Sequence, residues 1–221
     1  MPKAVIFDVD GTLVDSVDLH ARAWHEAFAD FGFNFDTGSI RGQIGKGGDQ
    51  LMPVFLSPEE LDKHGAAIDH HRSALFKDRY LQQVRPFPAV RDLFQHVLHD
   101  GKRVALASSS KQDELEHYKR VANIGDLVEA HTTSEDAEQS KPQPDIFQAA
   151  LQRLPGVAAH DAIVIGDTPY DAQAAAKAGI RTIGLLCGGF AEDDLRKAGC
   201  IAIYRDPADL LARYADSVLA R

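Results

Sequence analysis

The sequence predicts an α/β fold, a doubly wound parallel sheet with an inserted helical cap. Three observations carry that expectation. Short apolar runs without polar alternation, bounded by Gly, Asp or Ser, read as strands covered on both faces. Helical stripes lie between such runs from residue 85 onward, and strand–helix alternation of that kind builds a parallel sheet. Residues 15–84 break the alternation, holding helix-favouring stretches and no comparable apolar run.

Taken in order, Ala4–Phe7 is the first strand. Asp18–Phe31 follows with a helical stripe of Leu19, Ala23, Trp24, Ala27 and Phe31. A glycine-rich break, Gly42–Gly48, separates it from Glu59–Tyr80, which is polar and again helix-favouring. Val90–His99 spaces Val90, Leu93, Phe94, Val97 and Leu98 on one helical face, with Gly101 where a helix stops. Val104–Ala107, Ala162–Ile165 and Arg181–Leu185 are the next strands, with a weaker one at Ile201–Tyr204. Pro144–Leu154 and Pro169–Ala178 each open a helix at a proline, and Gly179 closes the second. The expected division is a core of residues 1–14 and 85–221 and a cap of residues 15–84. The cap would stand over the carboxyl ends of the strands, where open α/β sheets bind ligands.

A chain of 221 residues suffices for one substantial core with a modest insert. Its net charge of −9 weighs against nucleic acid or an anionic membrane, either of which asks for a basic face. A small anionic substrate remains compatible, because the charge at a site can oppose the global sign. Cys187 and Cys200 lie outside any CxxC arrangement and read as reduced thiols. The opening MPKAVIFDVDG has too short an apolar run for a secretion signal, and no run approaches the roughly 20 residues of a membrane span. The expectation is a cytoplasmic protein, a monomer or weak homodimer. The histidine pairs do not suggest a metal site: His70 and His71 diverge on a helix, and His96 and His99 have no third ligand.

Four short motifs carry chemistry. In "VIFDVDGTLVDS", Asp8 and Asp10 fall on the same face at the end of a strand. Two such carboxylates repel unless a cation or a proton intervenes, so Mg²⁺ or a protonated Asp10 acting as general acid would resolve them. An acidic strand-to-loop turn is the plain alternative. Gly11 supplies backbone freedom for a sharp exit. Ser108, after the strand in "VALASSSK", offers a hydroxyl and backbone N–H groups to phosphate oxygens, although Ser clusters also cap helices. Lys141, in the stiff "SKPQPDIF", sits just ahead of a helix, suited to neutralising a phosphoryl group or equally to solvent. Asp167 comes off a strand in "IVIGDTPYDAQAA", with Asp171 in the first turn of the next helix.

In this order the motifs resemble those of the haloacid-dehalogenase-like hydrolase superfamily, with its capped phosphoglycolate-phosphatase-like and β-phosphoglucomutase-like members. "DVDGT" looks like its first motif, Ser108 its second, Lys141 in "KPQPDIF" its third and "GDTPYD" its fourth. The resemblance spans essentially the whole chain. It implies that Asp8 is a nucleophile forming an aspartyl-phosphate, and that Mg²⁺ is held by Asp8, the backbone carbonyl of Asp10, and Asp167. Asp171 would order a metal-bound water or Lys141. Asp10 would protonate the leaving alkoxide and then deprotonate water. Ser108, Ser109 and Lys141 would hold phosphoryl oxygens, and Gly45 and Lys46 of the cap loop would touch the substrate. That loop also reads as a simple flexible turn, and Arg41 and Lys46 either as contacts for an anionic tail or as exposed charge.

An aspartate at Asp10 favours phosphate esters over halides, whose departure needs no proton. The expected reaction is therefore hydrolysis of a small phosphorylated metabolite, phosphoglycolate-like or a sugar phosphate. A sugar-phosphate mutase is the alternative, because His20 and Trp24 in "DSVDLHARAW" are placed as in β-phosphoglucomutase-like relatives. Against it, "GDTPYD" departs from the mutase pattern, and "IGKGGDQLMP" lacks the arginine that clamps a second phosphate. Ala89 stands in "RPFPAV" where the family often has glycine, a difference expected to matter little.

Overall fold

A computed structural model describes residues 1–220. Strand β1 (Ala4–Phe7) leads through a tight loop to β2 (Val14–Asp15). Helices α1 (Val17–Asp30), α2 (Thr37–Arg41), α3 (Gly48–Leu51), α4 (Pro58–Glu60) and α5 (Ala66–Leu75) follow. Strand β3 (Arg85–Pro86) then brings the chain back to α6 (Val90–His99), β4 (Arg103–Ala107), α7 (Gln112–Val121) and β5 (Ala130–Thr132). Helix α8 (Asp145–Gln152), β6 (Ala162–Gly166), α9 (Pro169–Lys177) and β7 (Arg181–Leu185) continue the alternation. The last elements are α10 (Glu192–Ala198), β8 (Ala202–Tyr204) and α11 (Pro207–Ala212). No helix among the described residues is long and apolar enough to cross a membrane.

Six strands form one parallel sheet in the order β5-β4-β1-β6-β7-β8. Alternate strand residues enter different cores. Val5, Phe7, Val104, Leu106, Ile163 and Ile165 join the cluster on one face, and Ala4, Ile6, Ala105, Ala107, Ala162 and Val164 join the other. Both faces are covered, which is why these strands read as unbroken apolar runs. The strand order reverses direction at β1, so β1 and its neighbours β4 and β6 bring their carboxyl ends together where such sheets open a crevice.

Between β2 and β3 the chain is helical and packs a core of its own, in which Trp24, Phe28, Ile40, Leu51 and Ile68 are buried together. The helix-favouring stretch Glu59–Tyr80 is helical but compound: π-helical turns at Leu61–Gly65 and Phe76–Tyr80 flank α5. The ribbon of β2 with β3 pairs Val14 with Pro86 and Asp15 with Arg85, tying together the points where the chain leaves and rejoins the sheet. Two elements carry no apolar run that would announce them. Strand β5 is Ala-His-Thr at the sheet edge, and the helix α7 is predominantly polar.

Candidate active site

Asp8 directly follows β1 and Asp167 directly follows β6. The strands are adjacent, with Phe7 beside Ile165 in register, and the Asp8 N–H donates to the Ile165 carbonyl at 2.8 Å. Sheet pairing thus joins two aspartates far apart in sequence. Asp171 is added by the first turn of α9, where Thr168 and Asp171 form a reciprocal cap: the Thr168 N–H and hydroxyl donate to Asp171 Oδ2 at 3.0 and 2.7 Å. One oxygen from each of Asp8, Asp167 and Asp171 lies within 4.8 Å of the others. All three residues are buried, at 5, 0 and 0% exposure.

Lys141, itself buried, is the ammonium that answers this charge. It pairs with Asp8 Oδ1 and, at 2.8 Å, with Asp171 Oδ1. Thr12 Oγ1 lies 3.1 Å from Asp8 Oδ2 and 2.7 Å from Asp167 Oδ1, but its single proton serves one at a time. One cation against three carboxylates leaves the cluster negative. Burial pushes Asp8 up to about 7; the Lys141 charge opposes this, and the Asp171 and Asp10 charges add to it. Burial, then the charges of Asp8 and Asp171, hold Asp167 well above the usual carboxylate range. Burial alone would lower Lys141, but Asp171 and Asp8 hold it above the ordinary lysine value.

The same cluster fits a hard divalent cation. Its donors are all oxygens, Lys141 compensates only part of its charge, and Asp167 Oδ2 is buried with no partner among the described residues. Glycines make room beside that oxygen: a Cβ at Gly11 would stand 2.4 Å from it, and one at Gly188 only 1.7 Å. Gly11 also adopts φ +80°, the left-handed conformation glycine tolerates.

The Asp10 carboxylate turns away from this cluster. Ser16 Oγ donates to its Oδ1 at 2.6 Å, His20 Nε2 lies 3.0 Å from the same oxygen, and Ser110 Oγ donates to Oδ2 at 2.7 Å. Burial would raise this carboxyl, yet the His20 ring, followed by the Ser16 and Ser110 hydroxyls, holds it below the usual range. His20 also reaches the buried Tyr118 hydroxyl at 3.2 Å and stacks on Phe76 with ring centroids 3.8 Å apart.

A cavity of about 440 Å³ opens over Asp8 and Asp10. Ser109, Gly45 and Lys46 are on its lining. Lys46 Nζ donates to Gln43 Oε1 at 2.6 Å and lies 4.6 Å from the Tyr170 ring centre. Ser108 is fully buried behind the lining; its Oγ accepts the Ser110 N–H at 3.0 Å, leaving Ser109 and Ser110 at the cavity surface. On sequence Arg41 is open to two readings, a contact for an anionic tail or exposed charge. It lies outside the lining, donating to Asp18 Oδ1 at 2.6 Å and to the Gly188 carbonyl at 3.1 Å, because two acceptors hold it against the loop behind Asp167. The 42–48 loop is more than a flexible turn, because it docks on the strand-end loops. Tyr170 Oη donates to the Gly42 carbonyl at 2.6 Å, and a Cβ at Gly47 would stand 2.0 Å from Ser140 Oγ.

Several residues at the site gave little advance sign. Ser110 was visible only as part of a serine run, and Gly188 only as half of a Gly-Gly pair. Arg72 and Glu114 also line the cavity, but they sit on polar helices where nothing sets one charge apart from its neighbours.

Comparison with known proteins agrees with the motif order. The model of the haloacid dehalogenase-like hydrolase family matches residues 5–185. A phosphoglycolate phosphatase of Cereibacter sphaeroides is 30% identical over 220 residues, covering 94% of this chain and 96% of that protein. The fructose-1-phosphate phosphatase YqaB of Escherichia coli is 26% identical over 184 residues, covering 81% and 94%. Among solved structures, a hydrolase from Pseudomonas syringae superimposes with a TM-score of 0.89 at 27% identity, covering 98% of this chain and 99% of that one. The sheet order, the motif residues at its carboxyl edge and these matches agree: the chain belongs to the haloacid dehalogenase-like hydrolase family.

Proposed function

We propose that the protein is a Mg²⁺-dependent phosphatase that hydrolyses a small phosphorylated metabolite through an aspartyl-phosphate on Asp8. One observation carries the reading. Asp8 lines the cavity together with Asp10, and it clusters with Lys141, Asp167 and Asp171 behind the cavity floor; it alone belongs to both sets. A carboxylate so placed meets an incoming phosphoryl group while cationic support stands at its back.

In this reading an Asp8 oxygen attacks phosphorus and the ester oxygen leaves with the bonding pair. Asp10, receiving a proton across its 3.0 Å contact with His20, passes it to that alkoxide, then takes one from the water that hydrolyses the acyl phosphate and frees Asp8. Ser16, His20 and Ser110 hold Asp10 in place for both transfers. Lys141 and the serine loop at 108–110 receive the phosphoryl oxygens, and Asp171 steadies Lys141. Asp8, Asp167 and the Asp10 carbonyl would hold Mg²⁺, which when bound neutralises phosphoryl charge. Residues 15–84 act as a cap that closes on the substrate. Arg41 supports hydrolysis over phosphate transfer between two positions of a sugar, because its contacts with Asp18 and Gly188 keep it from clamping a second phosphate. The reading places the enzyme in the cytoplasm, where the free thiols of Cys187 and Cys200 persist.

Phosphate release from a panel of phosphorylated metabolites with Mg²⁺ tests this, using wild type and Asp8→Asn. Wild type is expected to release phosphate, and the variant to lose at least about a thousandfold in kcat, as enzymes do when their nucleophile is removed. Wild-type turnover by Asp8→Asn would sink the reading. Conversion of β-glucose 1-phosphate to glucose 6-phosphate without net release would replace it with the mutase.

A further inference from the structure

The helical wall of the cavity holds two polar groups that the protein leaves unsatisfied. Glu114, on α7, is 1% exposed, lines the cavity, and has a buried Oε1 without a partner. Arg72, on α5, lines the same cavity, and its buried Nε also has no partner. Among the described residues its carboxylate contact is with Asp69, a loose 3.6 Å, and its guanidinium lies 4.9 Å from the centre of the Trp24 ring. Glu114 and Arg72 are close enough to feel each other's charge, yet they form no ion pair. Buried polar groups are ordinarily hydrogen-bonded, so an acceptor and a donor left open on one cavity wall call for a ligand that offers both.

A hydroxyl is such a ligand, since it donates to a carboxylate and accepts from a guanidinium. A carboxylate or a second phosphate only accepts. Lys46, Lys111 and Arg72 on the lining would attract it, but it has no proton to give the open Glu114 Oε1 and would also face Asp69, Asp49 and Glu138. Trp24 adds an apolar face on which the C–H groups of a sugar pack.

We propose that Glu114 and Arg72 select a phosphorylated polyol or sugar, whose hydroxyls donate to Glu114 and accept from Arg72, over a phosphorylated carboxylic acid. This assignment rests on the phosphatase reading and narrows its substrate class. Both groups are specificity determinants outside the Asp8–Asp167–Asp171 cluster, and Glu114 also stands near enough to His20 and Asp10 to feel their charges.

The test compares kcat/KM for fructose 1-phosphate and phosphoglycolate, with Mg²⁺, in wild type, Glu114→Ala and Glu114→Gln. Wild type is expected to favour the sugar phosphate by about tenfold or more, the worth of a charge-assisted hydrogen bond. Glu114→Ala is expected to lower that ratio about tenfold, mainly through KM for the sugar phosphate, and Glu114→Gln, which keeps an acceptor oxygen, to recover part of it. A wild-type preference for phosphoglycolate, or an equal loss on both substrates in Glu114→Ala, would overturn the assignment and leave the phosphatase reading standing. Should Glu114→Ala fail to fold, the wild-type ratio and Glu114→Gln decide. Absence of turnover on any phosphate ester would overturn the underlying reading and this assignment with it.

Discussion

The backbone of Gly188 lies so close to Asp167 that a Cβ there would stand 1.7 Å from Asp167 Oδ2, an oxygen with no hydrogen-bond partner among the described residues. The same glycine's carbonyl accepts from Arg41, so the 187–189 loop both shapes the carboxylate cluster and anchors the helical segment. Alanine at this position forces either the carboxylate or the loop to move.

Gly188→Ala is therefore expected to fold but to need more Mg²⁺ for half-maximal phosphate release. Its kcat should fall by about a hundredfold, the scale of a displacement near 1 Å at a reacting centre. Mg²⁺ titration of the rate, alongside circular dichroism, checks this. An unchanged half-saturation and kcat would mean that Asp167 Oδ2 has no part in holding the cation.

The cluster also predicts how stability depends on pH. Asp8 is pushed up to about 7 in the folded protein, against 3.8 for an ordinary aspartate. Between those values the folded state keeps a proton that the unfolded chain has released, so this group makes stability fall as pH rises from about 4 to 7. Lys141, raised above its ordinary 10.5, contributes stability that is complete across this window and is lost only at much higher pH. A cation bound among the carboxylates removes the penalty on Asp8. Mg²⁺ at about a hundred times its Kd is expected to raise Tm by about 5–10 °C at pH 7.5, and by clearly less at pH 5. Thermal melts at both pH values, with and without Mg²⁺, measure it. An equal shift at the two would show that the cation binds elsewhere.

Ala89 precedes α6 at φ 62° and ψ 14°, a left-handed conformation in which its Cβ is strained. The sequence difference from the family's frequent glycine was expected to matter little, but the backbone gives it a definite cost. Ala89→Gly relieves roughly 1–2 kcal/mol of strain and gives back about 0.5–1 kcal/mol through the freer unfolded chain, a net gain of about 0.5–1 kcal/mol. Urea unfolding should show a higher midpoint at unchanged slope, with kcat unaffected. A lower midpoint would mean that the site tolerates the left-handed alanine without strain.

The sheet was legible because its strands are buried on both faces: Ala4–Phe7 and Arg181–Leu185 are bounded as their apolar runs suggested, and β4 and β6 are each one residue longer. The edge strand β5 was not, since Ala-His-Thr is half covered and gains its structure from pairing with β4. At the site, Asp8, Asp10, Lys141, Asp167 and Asp171 stood out as charges at the ends of apolar strands or the starts of helices, places where a carboxylate or ammonium is costly without a purpose.

What the sequence determined by itself was the identity and order of these groups, because local burial patterns and end signals are written along the chain. The tertiary structure decided which of them meet. Parallel pairing of β1 with β6 sets Asp167 beside Asp8, while α1 brings Ser16 and His20 to Asp10 and divides two adjacent carboxylates between separate partners. It also decided that Arg41 turns away while Arg72 and Glu114 face the cavity, since which charge on a polar surface lines a cavity depends on how helices pack, and no local pattern records that.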